Sequence, residues 1–397
     1  MSVPKLRFKE FIDEWKKVEL DKLYEFKNGL NGDRSLYGKG VELINVSDIL
    51  NNTCITSKVI NGKININEDT LRKNSVEYGD ILFQRSSETF LEIGTSNVYL
   101  DNKLVTFSGF VIRGKRKKDN INNPLFINYE LKSPALRKKI IICGSGAQHF
   151  NIGQEDLKRI TIFLPSIKEQ KKIADMLELL DKKIELQTKR IEVLKLFKKG
   201  LLNEFLKHNP CSKISLKYIL KERKNYTIKD GILPHVTLSK NGIEEKTERY
   251  NRDFLVKSKD KNYKITKIYD LCYNPANLKF GVICLNTYGS AIFSPIYVTF
   301  EINHKFNPLY IGYYVTQQNF INSARKYEQG TVYERMAVAP EDFLKMNIWV
   351  PNKHIQDKFS TILISMDTKL KKENEKLKKL EALKKGFMQS MFGLYYK

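Results

Sequence analysis

The chain has 397 residues and a formal net charge of +24, from 69 Lys+Arg against 45 Asp+Glu. That length suits two domains of roughly 150 residues each, and the positive excess points to a polyanion, nucleic acid rather than membrane, because no apolar run approaches the roughly 18 to 20 residues that span a bilayer. Five cysteines (Cys54, Cys143, Cys211, Cys272, Cys284) without a C-x-x-C pair and five scattered histidines argue for reduced thiols in a cytosol and against a zinc site, and with no apolar leader a cytoplasmic location is expected.

Residues 1 to 15 form a basic, partly amphipathic lead-in, and Lys17 to Leu23 approach a first domain. Val41 to Val46, Gly79 to Phe83, Thr95 to Leu100 and Leu104 to Ile112 are β-branched or aromatic runs bounded by Asn, Gly and Asp, so they read as strands. A helix is expected from Leu125 to Ile142, giving a mixed α+β domain. The segment Gln84, Arg85, Ser86, Ser87, Glu88 follows one strand directly and gathers an amide, a guanidinium and two hydroxyls. Amides and guanidinium groups read adenine and guanine edges bidentately, and hydroxyls hold phosphate. An ordinary polar turn is the alternative. A second such segment, Gly144 to Asn151, places Gln148 and Asn151 after a glycine turn, where glycine lets backbone approach a phosphate closely.

A short strand from Ile160 to Leu164 ends at Pro165, and a long helix follows until His208-Asn209-Pro210 breaks it. The second domain echoes the first. Lys213 to Leu216 parallels Lys17 to Leu20, Tyr269 to Tyr273 parallels Gly79 to Phe83, and Asn307 to Tyr310 parallels Asn123 to Phe126, with offsets that drift between 184 and 196. The intervening residues differ, so one scaffold carries two surfaces. At the position of the Gln84 segment stands Tyr273, Asn274, Pro275, Ala276, Asn277, Leu278, Lys279; at that of Gly144 to Asn151 stands Gly330 to Arg335, with Tyr333 and Arg335 as candidate contacts. The basic clusters Lys115 to Lys118 and Lys257 to Lys264 suit solvated loops or non-specific phosphate contact.

The stretch from Gly144 to Leu206 recurs from Gly330 to Phe392 at a constant offset of 186 residues. Glu155-Asp156, Ile162, Pro165, Gln170, Asp181 and Lys198-Lys199-Gly200 all return in place. In the first copy Ile173, Leu177, Leu180, Ile184, Ile191, Leu194, Leu201 and Phe205 are spaced by fours, threes and sevens. The second answers with Phe359, Leu363, Met366, Leu370, Leu377, Leu380, Phe387 and Met391. This is an a/d seam, interrupted in both copies at the same polar places, Gln187 with Glu373 and Lys198 with Lys384. Two helices on separate cores would satisfy the seam, but the shared interruptions favour helices packed on one another.

Leu164-Pro165, Gln170, Ile173, Leu177, Asp181, Ile184 and the Lys-Lys-Gly close, given twice, resemble the conserved regions of type I restriction-modification specificity subunits. The opening Pro4 to Phe8 through Trp15 is similar to the start of many members, and Tyr273-Asn274-Pro275 with Gly281 resembles a segment of their recognition domains. The resemblance implies two α+β target-recognition domains, residues 1–165 and 209–351. Between and after them it implies two long helical spacers, 166–208 and 352–397, packed as an antiparallel coiled coil in a pseudo-twofold repeat. It further implies double-stranded DNA as ligand, two methyltransferase subunits docked on the repeats with S-adenosylmethionine chemistry at adenine on those partners, and a translocating endonuclease subunit joining them. A spacer helix of about 35 residues is roughly 50 Å long, a ruler for a bipartite site whose halves lie about one turn apart.

No chemistry is expected in the chain itself. It has no Walker-type G-x-x-x-x-G-K-[ST], no H-E-x-x-H and no G-x-S-x-G. Asn123-Pro124-Leu125, Asn274-Pro275-Ala276 and Asn307-Pro308-Leu309 all lack the second proline of an adenine-methyltransferase motif. A self-sufficient adenine methyltransferase and a coiled-coil assembly factor that binds DNA without sequence preference are the alternatives. The bases read do not follow from spacing.

Overall fold

A computed structural model describes residues 4–117, 121–146, 148–228, 231–246, 262–329 and 336–393. The chain divides into two compact units, one made of Met1–Lys189 with Glu375–Lys397 and the other of Arg190–Asn374, and each mixes helix and sheet.

In the first unit an antiparallel sheet runs in the order Tyr24–Asn28, Val111–Arg116, Ile81–Gln84, Ser96–Val98. Side chains alternate across a strand, so Ile81 and Phe83 enter one apolar core with Val98 and Ile112, while Leu82 enters another with Tyr99, Phe107 and Val111. Burial on both faces explains why this strand reads as a continuous apolar run. Gly62–Ile64, Tyr37–Ile44 and Thr106–Phe107 form a smaller mixed sheet. Lys16–Glu19 pairs antiparallel with Thr161–Leu164.

Three expectations need correction here. The strand read at Val41 to Val46 is Tyr37–Ile44 and stops before a short helix at Val46–Leu50, whose start is fixed by a capping box between Asn45 and Asp48. The run Leu104 to Ile112 is two strands, Thr106–Phe107 and Val111–Arg116, with a turn between them. The helix expected from Leu125 to Ile142 is two, Pro124–Lys132 and Pro134–Ile142. Pro134 forces Ser133 out of helical conformation (ψ 144°), and the Ser133 hydroxyl then accepts from the Leu136 N–H to cap the second helix.

In the second unit the main sheet runs Leu220–Glu222, Val298–Ile302, Leu271–Tyr273, Ile283–Leu285, again antiparallel. Its central strand alternates as in the first unit: Leu271 and Tyr273 face one core, Cys272 the other. Tyr226–Thr227, Tyr263–Thr266 and Ala291–Phe293 form a second sheet, Val236–Ser239 and Gly242–Glu245 a hairpin. Cys211–Ser215 pairs with Asn347–Pro351.

Helix α1 spans Ile167–Lys207 and helix α2 Lys353–Phe392. Each start is tied down alike. Gln170 accepts from the Asn123 N–H (2.8 Å) and donates to the Pro165 carbonyl (2.9 Å); Gln356 accepts from Asn307 (2.8 Å) and donates to Pro351 (2.8 Å). Asn123 and Asn307 in turn cap the helices that follow them. All sixteen seam residues are buried or half-buried. In the first unit Ile173, Leu177 and Leu180 of α1 share a core with Met388, Met391 and Phe392 of α2; in the second, Leu202 of α1 shares one with Phe359 and Leu363 of α2, and Phe205 lies 4.6 Å from Phe359 between ring centres.

The lead-in is held inside the first unit. Arg7 clamps Glu169 with two bonds of 2.8 Å, Trp15 Nε1 donates to the same carboxylate, and the Leu6 N–H donates to the Ser390 carbonyl. Glu169 is almost wholly buried, so this bidentate pair replaces its lost hydration.

Candidate nucleic-acid interface

The two candidate segments of the first domain meet in space. Ser86–Ser87 pairs antiparallel with Phe150–Asn151, and the Ser86 hydroxyl donates to Asn151 Oδ1 at 2.5 Å. The turn leading into Asn151 closes through a pair of bonds between the Ser145 and Asn151 backbones. It requires Gly146: at φ +133° any side chain would meet the His149 carbonyl at 2.0 Å.

Arg85 and Asn151 line one open recess of about 520 Å³ with Asn28, Ser145 and Gln154. Among the described residues a single hydrogen bond, to the Gly109 carbonyl, holds the Arg85 guanidinium. With five N–H donors in a planar fork, Arg85 keeps donors for a ligand. Behind it, Arg137 donates to the carbonyls of Leu91 and Ile93 and so fixes the loop that follows Ser87. Burial lowers its pKa to about 10, still protonated at neutral pH.

The other residues of this group are placed differently. Gln84 is buried, its Nε2 donating to the Ser86 carbonyl, and Ser87 is buried with its hydroxyl accepting from the Thr89 N–H. Both shape the segment from beneath and present almost no surface, which corrects their place as direct contacts. Gln148 is exposed.

In the second unit Tyr273 is 0 % exposed, stacked 4.7 Å from Phe343 and 6.0 Å from Phe300, and its hydroxyl donates to the Val338 carbonyl. Tyr273 is therefore a core residue and not a surface contact, because it is the last position of a central strand, on the face turned to the core. Asn274 is also buried: its side chain accepts from the Ala276 N–H and caps a 3-10 turn, Pro275–Phe280, which Gly281 closes. Asn277 and Lys279 are half-buried on that turn.

Beside them stand two residues that sequence reading missed. Phe280 is 55 % exposed, with the Lys279 ammonium 5.4 Å and the Lys240 ammonium 5.8 Å from its ring centre. Lys240 arrives from the hairpin turn between Val236–Ser239 and Gly242–Glu245, so no spacing rule joins it to Phe280. An exposed ring flanked by two cations suits stacking against a base beside phosphate. Tyr333 and Arg335 lie outside the described residues, as do the rest of Gly330 to Arg335 and most of the Lys257 to Lys264 cluster.

Among the described residues no group of His, Cys, Asp or Glu is arranged to hold a metal ion, and no helix is long and apolar enough to cross a membrane.

Residues 12–196 match the family model described as the type I restriction modification DNA specificity domain. A protein of Methanocaldococcus jannaschii, provisionally named type I restriction enzyme MjaX specificity subunit, is 28% identical over 204 residues, which cover 49% of this chain and 46% of that protein. The match thus spans about half of the curated relative's length. The type I restriction-modification system S subunit from M. genitalium has a similar fold at 15% identity, with a TM-score of 0.60 over 98% of this chain and 99% of that one. A chain from a structure described as the basis of complex assembly and conformational transition in a type I R-M system gives a TM-score of 0.55 at 12% identity, over 98% and 100%. At these identities the structural likeness speaks to fold alone.

Proposed function

We propose that this chain is a type I restriction-modification specificity subunit, a reading supported by the match of residues 12–196 to the family's domain, and that it reads a DNA target in two separate halves. Target-recognition domains at residues 1–165 and 209–351 each take one half, and spacers at 166–208 and 352–397 pair as an antiparallel coiled coil that sets the distance between them. Specificity subunits recognise DNA and are not themselves catalytic. On this reading two methyltransferase subunits dock on the repeats and perform S-adenosylmethionine-dependent transfer to adenine, and an endonuclease subunit joins that core.

One observation carries the spacer part of this reading. Asp181 pairs with Lys384 in the first unit, and Lys198 pairs with Asp367 in the second. Asp181 and Asp367 are 186 positions apart, as are Lys198 and Lys384. Each ion pair therefore joins one copy of the repeat to the other with the roles exchanged, the relation a twofold axis imposes on residues i and j. Antiparallel pairing of two equal helices produces this exchange. Within the second unit the order agrees, since Arg190, Lys198 and Phe205 of α1 meet Glu373, Asp367 and Phe359 of α2 as the one helix ascends and the other descends. The lysines that interrupt both seams are the residues that form these pairs, which suits polar seam positions as setters of register.

The two readers differ as recognition of unlike half-sites requires. Arg85, Asn151 and Gln148 supply a guanidinium and amides in one; Asn277, Lys279 and Phe280 supply an amide, an ammonium and a ring in the other. Lengthening both helices by one heptad tests the ruler. Methylome sequencing is expected to return the same bases with a changed number of unread pairs between them, and an unchanged gap rejects it.

A further inference from the structure

Asn28 ends the strand Tyr24–Asn28, far along the chain from the Arg85 segment, yet lines the same recess as Arg85 and Asn151. The chain turns away immediately after it. Gly29 packs so closely on Ser108 that a Cβ there would stand 2.1 Å from the Ser108 carbonyl oxygen, so Asn28 has a fixed backbone behind it. Its side chain is fixed from the front by Gln154. With the Gln154 carboxamide turned so that Nε2 donates to the Phe26 carbonyl at 2.9 Å, its oxygen lies 3.0 Å from Asn28 Oδ1, 3.3 Å from Asn28 Nδ2 and 3.3 Å from the Asn28 backbone N, so a matching turn of the Asn28 carboxamide lets its amide donate to Gln154.

We infer that Asn28 is a specificity-determining residue for the half-site read by the first unit, and that Gln154 is the positioning residue that holds its carboxamide. The inference rests on the reading of this unit as a DNA reader and adds a residue that the motif at Gln84 to Ser87 does not contain. A carboxamide offers a donor and an acceptor in one plane, the pattern that matches adenine N6 and N7 in the major groove. Free asparagine side chains sample several rotamers; one braced by a second amide presents a single orientation, and preorganisation of this kind turns contact into discrimination. Arg85, whose fork matches guanine O6 and N7, stands on the same recess. On this inference Asn28 and Arg85 each contact the first half-site from the same recess, and the two residues fail separately when mutated.

The test is methylome sequencing of cells in which the full chain, together with its methyltransferase partner, carries Asn28→Asp, Asn28→Ala, Gln154→Leu or Arg85→Ala. Asn28→Asp keeps the shape and removes the donor. It is expected to lower methylation at wild-type sites about tenfold relative to sites changed at one position of that half, with the other half and the gap unchanged. Gln154→Leu is expected to relax the same position to a smaller degree, and Gln154→Glu, which keeps the acceptor toward Asn28, to restore most of the preference. If Arg85→Ala relaxes the half-site while Asn28→Asp and Asn28→Ala leave its bases unchanged, the role of Asn28 is overturned and the first unit remains a reader. If neither Arg85 nor Asn28 variants alter any base, the reading of the unit itself falls. Thermal melting of each purified variant separates misfolding from altered reading: loss of methylation at all sites by Asn28→Asp with an unchanged melting temperature and unchanged base preference counts against the inference.

Discussion

Asp80 and Asp270 stand at matching places, each just before the central strand of its unit, and the two units satisfy them differently. Among the described residues Asp80 accepts from backbone N–H groups, of Arg116 at 2.8 Å and Glu77 at 3.0 Å, and burial pushes its pKa up to about 6 against the opposing pull of those bonds. Asp270 takes a bidentate Arg223, at 2.7 and 2.9 Å, and the Lys267 N–H. The ion pairs at the seams diverge in the same way. Asp181 is 11 % exposed, accepts from the Tyr129 hydroxyl at 2.8 Å and has the Lys384 ammonium over that ring; Asp367 is 58 % exposed, and the corresponding Tyr313 donates to the Lys198 carbonyl instead. Burial drives the Tyr313 hydroxyl up to about 12, and burial together with the Asp181 charge raises Tyr129 further, so both remain neutral donors at working pH. One plan of strands and helix starts therefore tolerates different charge arrangements at matching positions. The same tolerance allows one recess of amides and a guanidinium, and one exposed ring between two lysines.

The largest difference between the units is expected at the paired aspartates. Asp270→Ala leaves Arg223 part-buried without its bidentate partner and should cost roughly 3–5 kcal/mol in chemical denaturation, whereas Asp80→Asn breaks no direct ion pair, removing only a charge that favours the nearby buried Arg113, and should cost about 1 kcal/mol. Equal costs would break the contrast. At the seams, Asp181→Ala removes a hydrogen bond and an ion pair from a sheltered site, an expected loss of about 2 kcal/mol.

Asp80 also gives the first unit a pH response with a definite sign. Its folded pKa lies above the unfolded value, so the folded state holds the extra proton between about pH 4 and 6. Stability contributed by this group grows as pH falls from 7 to 5 and is lost as pH rises through about 6. Urea titrations of the wild type and Asp80→Asn should show their difference changing by about 1 kcal/mol across that window. A difference that stays constant would mean that Asp80 is ionised throughout. Smallest of all, Asp367→Ala on its exposed pair should cost less than about 1 kcal/mol; an effect matching that of Asp181→Ala would show that exposure does not separate the two pairs.

Much of this architecture was legible in the residues. The helices from Ile167 and Lys353 follow from their seam spacing, and Pro165 and Pro351 mark where they begin, because each carbonyl there receives the amide of the glutamine five residues on. The strands Ile81–Gln84 and Leu271–Tyr273 were legible from their apolar runs. The direction of the polar residues at their ends was not. Gln84 and Tyr273 occupy strand positions, and whether such a side chain faces core or solvent depends on the partner strands on both sides. The break at Ser133-Pro134 was available in the sequence, since a residue before proline avoids the helical region. Asn28 and Lys240 could not have been found by motif. Each reaches its site through pairing of distant strands, Asn28 opposite Ile112 and Lys240 from a hairpin turn near Phe280.

The most direct test is one comparison of methylomes, from cells carrying this chain with its methyltransferase partner as wild type and as Arg85→Ala. A two-part motif is expected from the wild type, with one half relaxed by Arg85→Ala while the other half and the gap stay as they were. A contiguous motif, or loss of discrimination in both halves together, would contradict it.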